Sequence, residues 1–337
     1  MVSRERIQSV LNFQKPDRLP VVEWAPYWDK TISRWRTEGL PDSAQTHAEI
    51  RDFFGLDKML DIWVRSKSPD MPYPNGHGKV VVANEADYDR LMPYFYPDPA
   101  LDPKELERLS KAQEDGAAVW IWFEAFFWHP RDLFGIEEHL YSFFDQPALM
   151  KRMNDDLLEY LYRTVDQICD YVQPQFLALA DDMSYNHGPM ISKAMYDEHL
   201  APFYVQASEY IKNKGIKVYV DSDGLVDDPV DWYMEAGCEG FLPLEKQAGV
   251  DIAKYRRKHP RYLFMGGFDK LCMNKGEDAM RVEFERLLPV MSQGGYILGV
   301  DHQTPPEVSL EDYKLYLSLL REYAQRAVNE WTGPMGE

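Results

Sequence analysis

The sequence is poor in cysteine and contains no long apolar run. Three cysteines occur among 337 residues, Cys169, Cys238 and Cys272, and no two of them share a Cys-x-x-Cys or Cys-x-Cys spacing. A disulfide framework and a thiolate zinc site are therefore not predicted, and a reducing cytoplasm is the expected location. No apolar segment typical of a secretory signal follows the first residues. The apolar run 117–123 ends at Glu124, far short of the roughly 20 residues of a membrane helix.

Basic residues are also scarce, with 37 Lys and Arg against 56 Asp and Glu and a formal net charge of −19. No Lys- or Arg-rich stripe interrupts this acidic background. Nucleic acids and anionic membranes bind cationic protein faces, so neither is an expected partner. No Gly-x-Gly-x-x-Gly follows any predicted strand, and a dinucleotide-binding loop therefore has no support.

What the sequence does contain is an alternation of short apolar strands and longer amphipathic helices, clearest after about residue 117. Such an alternation is typical of a parallel sheet covered by helices on both faces. The predicted strands are 19–24, 59–64, 117–123, 175–180, 217–220, 240–244, 262–266 and 296–300. The predicted helices are 3–14, 43–54, 147–171, 192–214, 229–236, 251–258, 278–288 and 310–328. Eight strands predict an α/β fold of the (β/α)8 TIM barrel type, with a doubly wound open sheet as the alternative.

The N-terminal third is less regular than the rest of the chain. We predict a single barrel domain over residues 1–337, in which residues 1–115 form an irregular N-terminal part that extends over the barrel mouth. The apolar helix at 310–328 packs either on the barrel or on a second subunit, so a homodimer is one expectation.

Acidic side chains follow most of the predicted strands. In a (β/α)8 barrel the reactive groups lie at these strand ends. A single carboxylate after a strand is just as well explained as a helix cap or turn residue. A ring of carboxylates, however, is unfavourable unless a metal ion or a cationic group lies among them. The strand-end residues are Glu23, Glu124, Asp181, Asp182, Asp221, Asp223, Glu245, Asp269, Asp301 and His302.

Several segments spread over nearly the whole chain resemble the uroporphyrinogen decarboxylase superfamily. They are Arg4-Glu5-Arg6-Ile7, the stretch from Asn12 to Val21, the stretch from Ala180 to Asn186, Met265-Gly266-Gly267 and the stretch from Gly294 to Gly299. The resemblance implies a (β/α)8 barrel. It also implies one of two chemistries, porphyrinogen decarboxylation or methyl transfer to or from a corrinoid protein.

The decarboxylase branch of this superfamily carries an Arg-Gln-Ala-Gly-Arg-Tyr motif soon after the first strand, which holds the carboxylates of the tetrapyrrole. This chain has Glu23-Trp24-Ala25-Pro26-Tyr27-Trp28 at that place. An acidic and aromatic entrance on a protein of charge −19 repels a polycarboxylate substrate. The resemblance is therefore stronger to the methyltransferase branch.

In the coenzyme-M-type methyltransferases of the superfamily, a His-x-Cys-Gly segment and a later Cys bind zinc. Asp221, Asp223 and His302 occupy the corresponding positions in this sequence, and Glu245 is a further candidate ligand. Two carboxylates and an imidazole suit zinc and leave it more Lewis acidic than thiolates do, which favours polarising an ether oxygen. Asp301 is placed to orient His302. Asp-Ser-Asp-Gly is equally a common turn sequence, so both readings stay open.

Other side chains are candidates for catalysis or substrate binding. Glu124 interrupts an apolar segment and is a candidate acid or a strand-end cap. Asp182 and Tyr185 are further catalytic candidates, and the neighbouring loop residues Asn186 and His187 are candidates for binding the substrate. Trp24 and Trp122 would wall a planar substrate, although most aromatic residues simply fill a core.

Together these features predict a zinc-dependent methyltransferase that demethylates a small methoxylated substrate. If Trp24 and Trp122 contact the substrate, it is expected to be aromatic. No corrinoid-binding motif occurs, because Asp197-Glu198-His199-Leu200-Ala201-Pro202 has proline where Asp-x-His-x-x-Gly has glycine. The corrinoid is thus expected on a separate partner protein. The alternatives are a metal-free decarboxylase or lyase of the same superfamily and a non-catalytic ligand-binding barrel.

Overall fold

The computed structural model describes residues 1–72 and 79–334. These residues form an α/β fold with a seven-stranded sheet and a separate two-stranded sheet. The strands are β1 (Met59–Val64), β2 (Ala118–Glu124), β3 (Phe176–Ala180), β4 (Ser184–Tyr185), β5 (Gly188–Pro189), β6 (Lys217–Asp221), β7 (Gly240–Leu242), β8 (Leu263–Phe268) and β9 (Tyr296–Val300). Strands β4 and β5 make up the small sheet. The predicted strands at 59–64 and 296–300 have the observed bounds.

Every segment predicted as helical after residue 117 is helical, but the helices at 128–134 and 136–145 were not predicted. The observed helices are α1 (Ser3–Leu11), α2 (Asp29–Glu38), α3 (His47–Phe53), α4 (Glu85–Leu91), α5 (Pro103–Glu114), α6 (Trp128–Phe134), α7 (Ile136–Asp145), α8 (Pro147–Cys169), α9 (Lys193–His199), α10 (Ala201–Asn213), α11 (Pro229–Glu235), α12 (Ile252–Lys258), α13 (Glu277–Met291) and α14 (Leu310–Asn329). The predicted helix 192–214 is two helices, because a new helix, α10, begins with Pro202 in its first turn. None of the helices in the described part of the chain is long and apolar enough to cross a membrane.

The predicted strand at 19–24 is wrong. Its main-chain groups form hydrogen bonds outside any strand ladder: the Leu19 N–H donates to a carbonyl of α14 (3.2 Å), and the Val21 N–H donates to the Asp57 carboxylate (2.8 Å). Pro20 has no N–H to offer a neighbouring strand. The main sheet therefore has seven strands among the described residues; the α/β class is confirmed, and a closed barrel of eight strands is not shown.

The chain divides into two compact units. The first unit comprises Met1–Leu60, Glu114–Ala118 and Gly240–Glu337, and the second comprises Asp61–Gln113 and Val119–Glu239. In the first unit, β8 pairs in parallel with both β7 and β9. Helix α14 begins with a Ser309–Asp312 capping box, and its apolar residues Tyr313, Leu317 and Leu320 are buried. Homodimer formation stays a prediction.

In the second unit, β2, β3 and β6 pair in parallel and end level with one another. The register aligns Glu124 with Ala180 and Ala180 with Asp221. Because the carboxyl ends of parallel strands meet at one edge of a sheet, Glu124, Asp181 and Asp221 lie along the same edge. The predicted clustering of acidic residues at strand ends is thus observed in this unit.

Candidate functional site

Glu124 is the last residue of β2, and its carboxylate is buried among polar side chains. The Ser66 hydroxyl lies 2.5 Å from Glu124 Oε2, and the Ser66 N–H donates to the same oxygen at 3.3 Å. On its other side, Ser66 Oγ lies 2.8 Å from His129 Nδ1. Glu124, Ser66 and His129 are 5%, 1% and 0% exposed, so this hydrogen-bonded group is shielded from bulk water. Strand-end capping alone does not account for such an arrangement.

Lys67 provides a positive charge beside this group. Its Nζ lies 2.5 Å from Asp132 Oδ2 and 3.3 Å from Glu124 Oε2. Charge-assisted N–H···O bonds are usually about 2.7–2.9 Å long, so Asp132 is the stronger partner of the ammonium. Burial, and next the charge of Lys67, lower the pKa of His129 well below its usual value, and the imidazole is therefore neutral.

Aromatic side chains continue from Glu124 along the same face of β2. Trp120, Trp122 and Glu124 are spaced two residues apart, which places them on one face of the strand. The Trp63 and Trp122 rings lie 4.1 Å apart at an interplanar angle of 66°. Trp63 is 36% exposed, so part of this aromatic wall is open to solvent. Glu124 thus shares a strand face with Trp122, whose ring contacts the partly exposed Trp63.

Asp181 and Asp182 follow β3 and have different surroundings. The Asp181 carboxylate is fully buried and accepts hydrogen bonds from the Tyr233 hydroxyl and the Phe127 N–H (2.9 Å). Burial raises the pKa of Asp181. These contacts connect the loop after β2 with α11, so Asp181 holds the strand ends in place.

Asp182, a predicted catalytic residue, is half-buried at the same edge. Its backbone is left-handed, with φ 47°, which is unfavourable for a residue other than glycine. Arg131 stabilises this conformation by donating to the Asp182 carbonyl (2.7 Å) and approaching Oδ2 (3.4 Å). The Asp223 N–H lies 3.3 Å from Asp182 Oδ1. Asp182 and Asp223, predicted for different roles, are thus neighbours.

Tyr185, Asn186 and His187 form the tip of the small β4–β5 hairpin. All three are exposed, and the Tyr185 and His187 rings are 5.6 Å apart. The Tyr185 carbonyl accepts the Leu225 N–H at 2.9 Å, which anchors the hairpin beside the Asp221-to-Gly224 turn. The catalytic role of Tyr185 and the substrate-binding roles of Asn186 and His187 stay predictions.

In the first unit, Glu23 and Trp24 are buried next to β9. The Trp24 indole N–H donates to the Val300 carbonyl (2.8 Å), and its ring meets the His302 ring edge-on at 6.5 Å between centroids. The Tyr313 hydroxyl lies 3.2 Å from Glu23 Oε2. Burial raises the pKa of Glu23 to about 7. Trp24 and His302, predicted for different roles, are therefore brought together by the fold.

Lys270 lies among acidic residues at the strand ends of the first unit. Its Nζ is 3.3 Å from Asp301 Oδ1 and 3.7 Å from Glu245 Oε1. The Asp301 carboxylate also accepts the N–H groups of Lys246 (3.0 Å) and Lys270 (3.2 Å). Burial raises the pKa of Asp301 to about 6, partly offset by Lys270. The lysine thus supplies a cation where the sequence predicted only carboxylates.

The four predicted zinc ligands belong to different units. Asp221 and Asp223 are in the second unit, whereas Glu245 and His302 are in the first. Over residues 1–72 and 79–334, no group of three or more His, Cys, Asp or Glu side chains is placed to hold a metal ion. The zinc site stays a prediction.

A cavity of about 400 Å³ lies in the second unit between α8, α9 and α10. Phe143, Met150, Asn154, His199 and Phe203 are among the residues that line it. His199, from the segment that departs from the corrinoid motif, thus lies in a mainly apolar cavity. None of the predicted site residues lines it.

Comparison with protein families matches residues 134–323 to the family described as Uroporphyrinogen decarboxylase (URO-D). This match spans more than half of the chain. The chain belongs to the uroporphyrinogen decarboxylase family. The match includes Asp182, Asp221 and His302 but begins after Glu124.

Solved structures add information on the fold of this family member. A methyltransferase from Methanosarcina mazei is similar over 98% of this chain and 99% of that chain, with a TM-score of 0.65 and 15% sequence identity. A sugar phosphate isomerase/epimerase from Parabacteroides distasonis is similar over 89% of this chain and 99% of that chain, with a TM-score of 0.45 and 12% identity. No curated protein sequence matches. The likeness to the Methanosarcina protein shows a shared fold.

Several polar residues of this uroporphyrinogen decarboxylase family member were missed at the sequence level. Ser66 and Lys67 contact Glu124, His129 contacts Ser66, and Lys270 lies between Glu245 and Asp301. Lys270 comes two residues after β8, so strand-end position was an available signal for it. Ser66 and His129 are 63 residues apart and carry no motif that pairs them.

The buried carboxyl group of Glu23 should make the free energy of unfolding of this protein depend on pH. Its carboxyl titrates near 4.5 in the unfolded chain and near about 7 when folded, so only the folded state keeps the proton between these values. The free energy of unfolding should therefore fall by roughly 3 kcal/mol as the pH rises from 4.5 to 7. Urea unfolding at pH 4.5 and 7.5 measures the change.

The Glu23→Gln variant provides the comparison, because its amide does not titrate. Subtracting its pH profile from that of the wild type isolates Glu23 from other groups, including Asp301. Equal pH profiles for the two proteins would contradict the assignment. An exposed residue, Glu107, provides the control substitution Glu107→Gln, which should leave the pH profile unchanged.

Proposed function

We propose that this protein is a methyltransferase that demethylates a small methoxylated aromatic substrate and passes the methyl group to a corrinoid carried by a partner protein. Membership of the uroporphyrinogen decarboxylase family and the shared fold with a methyltransferase support this function. The replacement of the tetrapyrrole-binding arginines by an acidic and aromatic segment, Glu23 to Trp28, supports it as well.

The observation that carries the proposal is the environment of Glu124. Breaking an ether produces an alkoxide or phenolate, which needs a proton donor at the leaving oxygen. Glu124 is buried, hydrogen-bonded to Ser66, and shares a strand face with Trp122, which contacts Trp63. A carboxyl group that shares a strand face with Trp122 supports an acid-assisted demethylation of a methoxyarene.

The proposed step balances with one proton and one methyl group. The C–O bond between the methyl group and the ether oxygen breaks, and its electron pair stays on the oxygen. Glu124 donates a proton to that oxygen, which leaves as the phenol. The methyl group bonds to the cobalt(I) nucleophile of the corrinoid. Asn186 and His187 are proposed to bind the polar substituents of the substrate, and Asp182 and Tyr185 are proposed to assist catalysis.

The test is a methyl-transfer assay with free cob(I)alamin as the acceptor and a panel of methoxylated phenols and benzoates, including 2-methoxyphenol. Formation of methylcob(III)alamin is followed by absorbance, and the free phenol by chromatography. We expect stoichiometric appearance of both products with at least one member of the panel. Tight binding of a panel member without either product would favour a non-catalytic ligand-binding barrel instead.

Zinc is a separate part of the proposal. Asp223 and His302 are proposed ligands, with Asp221 or Glu245 completing the set; when bound, zinc would polarise the ether oxygen. Elemental analysis of protein purified without chelator should find about one zinc per chain. The Asp223→Ala and His302→Ala variants should lose the metal while remaining folded by circular dichroism. Metal-free wild-type protein, or zinc retained in both variants, would contradict this site.

A decarboxylase is the second candidate, because the matching family is described by that activity. On this reading Glu124 and Asp182 do acid–base work without metal. Uroporphyrinogen and simpler aromatic carboxylic acids are the substrates to test, with release of carbon dioxide as the readout. Decarboxylation without methyl transfer would favour this candidate.

A further inference from the structure

Glu124 lies at one end of a continuous chain of hydrogen bonds that ends at Asp156 on α8. Beyond Ser66 and His129, the His129 Nε2 atom lies 3.2 Å from the Tyr96 hydroxyl. The Tyr96 and Tyr88 hydroxyls are 2.8 Å apart, and the Tyr88 hydroxyl lies 2.9 Å from Asp156 Oδ2. Five hydrogen bonds therefore link six side chains, which we call the Glu124–Asp156 relay: Glu124, Ser66, His129, Tyr96, Tyr88 and Asp156.

The relay needs more protons than its neutral members supply. Each of the five hydrogen bonds requires one proton. Ser66, Tyr96 and Tyr88 each carry one, and a neutral His129 carries one. With both carboxylates ionised, four protons serve five contacts, even before the longer contact of the Tyr96 hydroxyl with the Met153 carbonyl oxygen (3.4 Å) is counted. Two oxygen or nitrogen lone pairs would then face each other without a proton between them. Unpaired polar atoms in a buried site are unfavourable, so a fifth proton belongs to the relay.

The surroundings indicate which group holds the fifth proton. A cationic His129 is disfavoured, because burial and the charge of Lys67 lower its pKa. Asp156 is half-buried and interacts electrostatically with the Arg152 guanidinium. The Lys67 ammonium lies only 2.5 Å from Asp132 but 3.3 Å from Glu124, a long contact for an ammonium and a carboxylate. Glu124 is thus the remaining site.

We propose that Glu124 holds this proton on Oε2 and regains it from Asp156 through Ser66, His129, Tyr96 and Tyr88. In the resting arrangement Glu124 donates to Ser66, Ser66 to His129 Nδ1, His129 Nε2–H to Tyr96, Tyr96 to Tyr88, and Tyr88 to the Asp156 carboxylate. His129 is then the Nε2–H tautomer. The role of the relay in returning a proton to Glu124 rests on the proposed function. The number and position of the protons in the resting relay do not.

Recharging adds one proton from solvent to the relay. It starts from the arrangement with Glu124 ionised, in which Ser66 donates to Glu124 and His129 is the Nδ1–H tautomer. Asp156 takes up a proton and passes it to Tyr88, Tyr88 passes one to Tyr96, and Tyr96 passes one to His129 Nε2. His129 releases its Nδ1 proton to Ser66, which passes one to the Glu124 carboxylate. Every intermediate group gains one proton and loses one, and His129 changes from the Nδ1–H to the Nε2–H tautomer. The members other than Glu124 act through it and are positioning residues.

The test is the tautomer of His129, read by NMR from ring ¹⁵N and ¹³C shifts of the full chain labelled at histidine. His129→Gln identifies the His129 signals among the eight histidines. In the wild type we expect the Nε2–H tautomer. In Asp156→Ala, the four remaining hydrogen bonds are satisfied with Glu124 ionised, so His129 should switch to the Nδ1–H tautomer. Tyr88→Phe removes two contacts and one proton; the three contacts that remain are also satisfied with Glu124 ionised, so it should cause the same switch.

Asp155→Ala is the matched control, because Asp155 is the exposed neighbour of Asp156 and pairs with Lys151 instead. It should keep the wild-type tautomer. A wild-type His129 that is Nδ1–H or cationic at neutral pH would overturn the relay, as would an unchanged tautomer in both Asp156→Ala and Tyr88→Phe. Should Asp156→Ala not fold, Tyr88→Phe decides. The readout uses no substrate, so it is independent of whether the methyltransferase proposal succeeds.

Discussion

Replacing Glu124 by glutamine should slow demethylation of 2-methoxyphenol by about 10²- to 10⁴-fold, the usual contribution of a general acid. The amide keeps the size and hydrogen-bonding atoms of the carboxyl group beside Ser66 but does not release a proton to the leaving oxygen. The rate of methylcobalamin formation at saturating substrate measures the effect. A variant that retains the wild-type rate would contradict the assignment of Glu124 as the acid.

The loss caused by Glu124→Gln should depend on the leaving group. The methyl ether of 4-nitrophenol releases a stable phenolate that needs little protonation, so the variant should approach the wild-type rate with it. An equal loss with both substrates would show that the substitution disturbs binding or folding instead. Glu138→Gln, on the exposed side of α7, is a control that should change neither rate.

Replacing Gly266 by alanine should destabilise the fold by more than about 3 kcal/mol, a large effect for one methyl group. Gly266 lies within β8 at φ 95°, and an added Cβ would meet the Pro243 carbonyl oxygen at 2.3 Å. The Gly267 N–H donates to the same carbonyl at 2.9 Å, so the two backbone segments are held in close contact. Because neither backbone can move independently, the clash should appear in the urea midpoint.

Gly39→Ala separates this clash from backbone strain. Gly39 caps α2 at φ 111° and has open space around the position of a Cβ. Its substitution should cost only the left-handed strain, about 1–2 kcal/mol. Equal losses for Gly39→Ala and Gly266→Ala would mean that the contact with Pro243 contributes nothing.

Local periodicity predicted most of the regular structure. The apolar runs at 59–64 and 296–300 are strands with the predicted bounds, and the long amphipathic pattern from 147 is α8 within two residues at its end. The failure at 19–24 has a specific cause, since its N–H groups bind the Asp57 side chain and a carbonyl of α14. An apolar, β-branched segment carries no sign of such distant partners.

The sequence by itself determined the α/β class, the family and the acidic character of the strand ends, because each depends on residue types at short spacing. Only the tertiary structure decided which of these carboxylates acquire partners. Ser66 is joined to both Glu124 and His129, and Lys270 to Asp301, across separations of 31 to 63 residues. Hydrogen bonds over such separations form only where packed strands and helices bring the side chains within about 3 Å, and no local pattern encodes that distance.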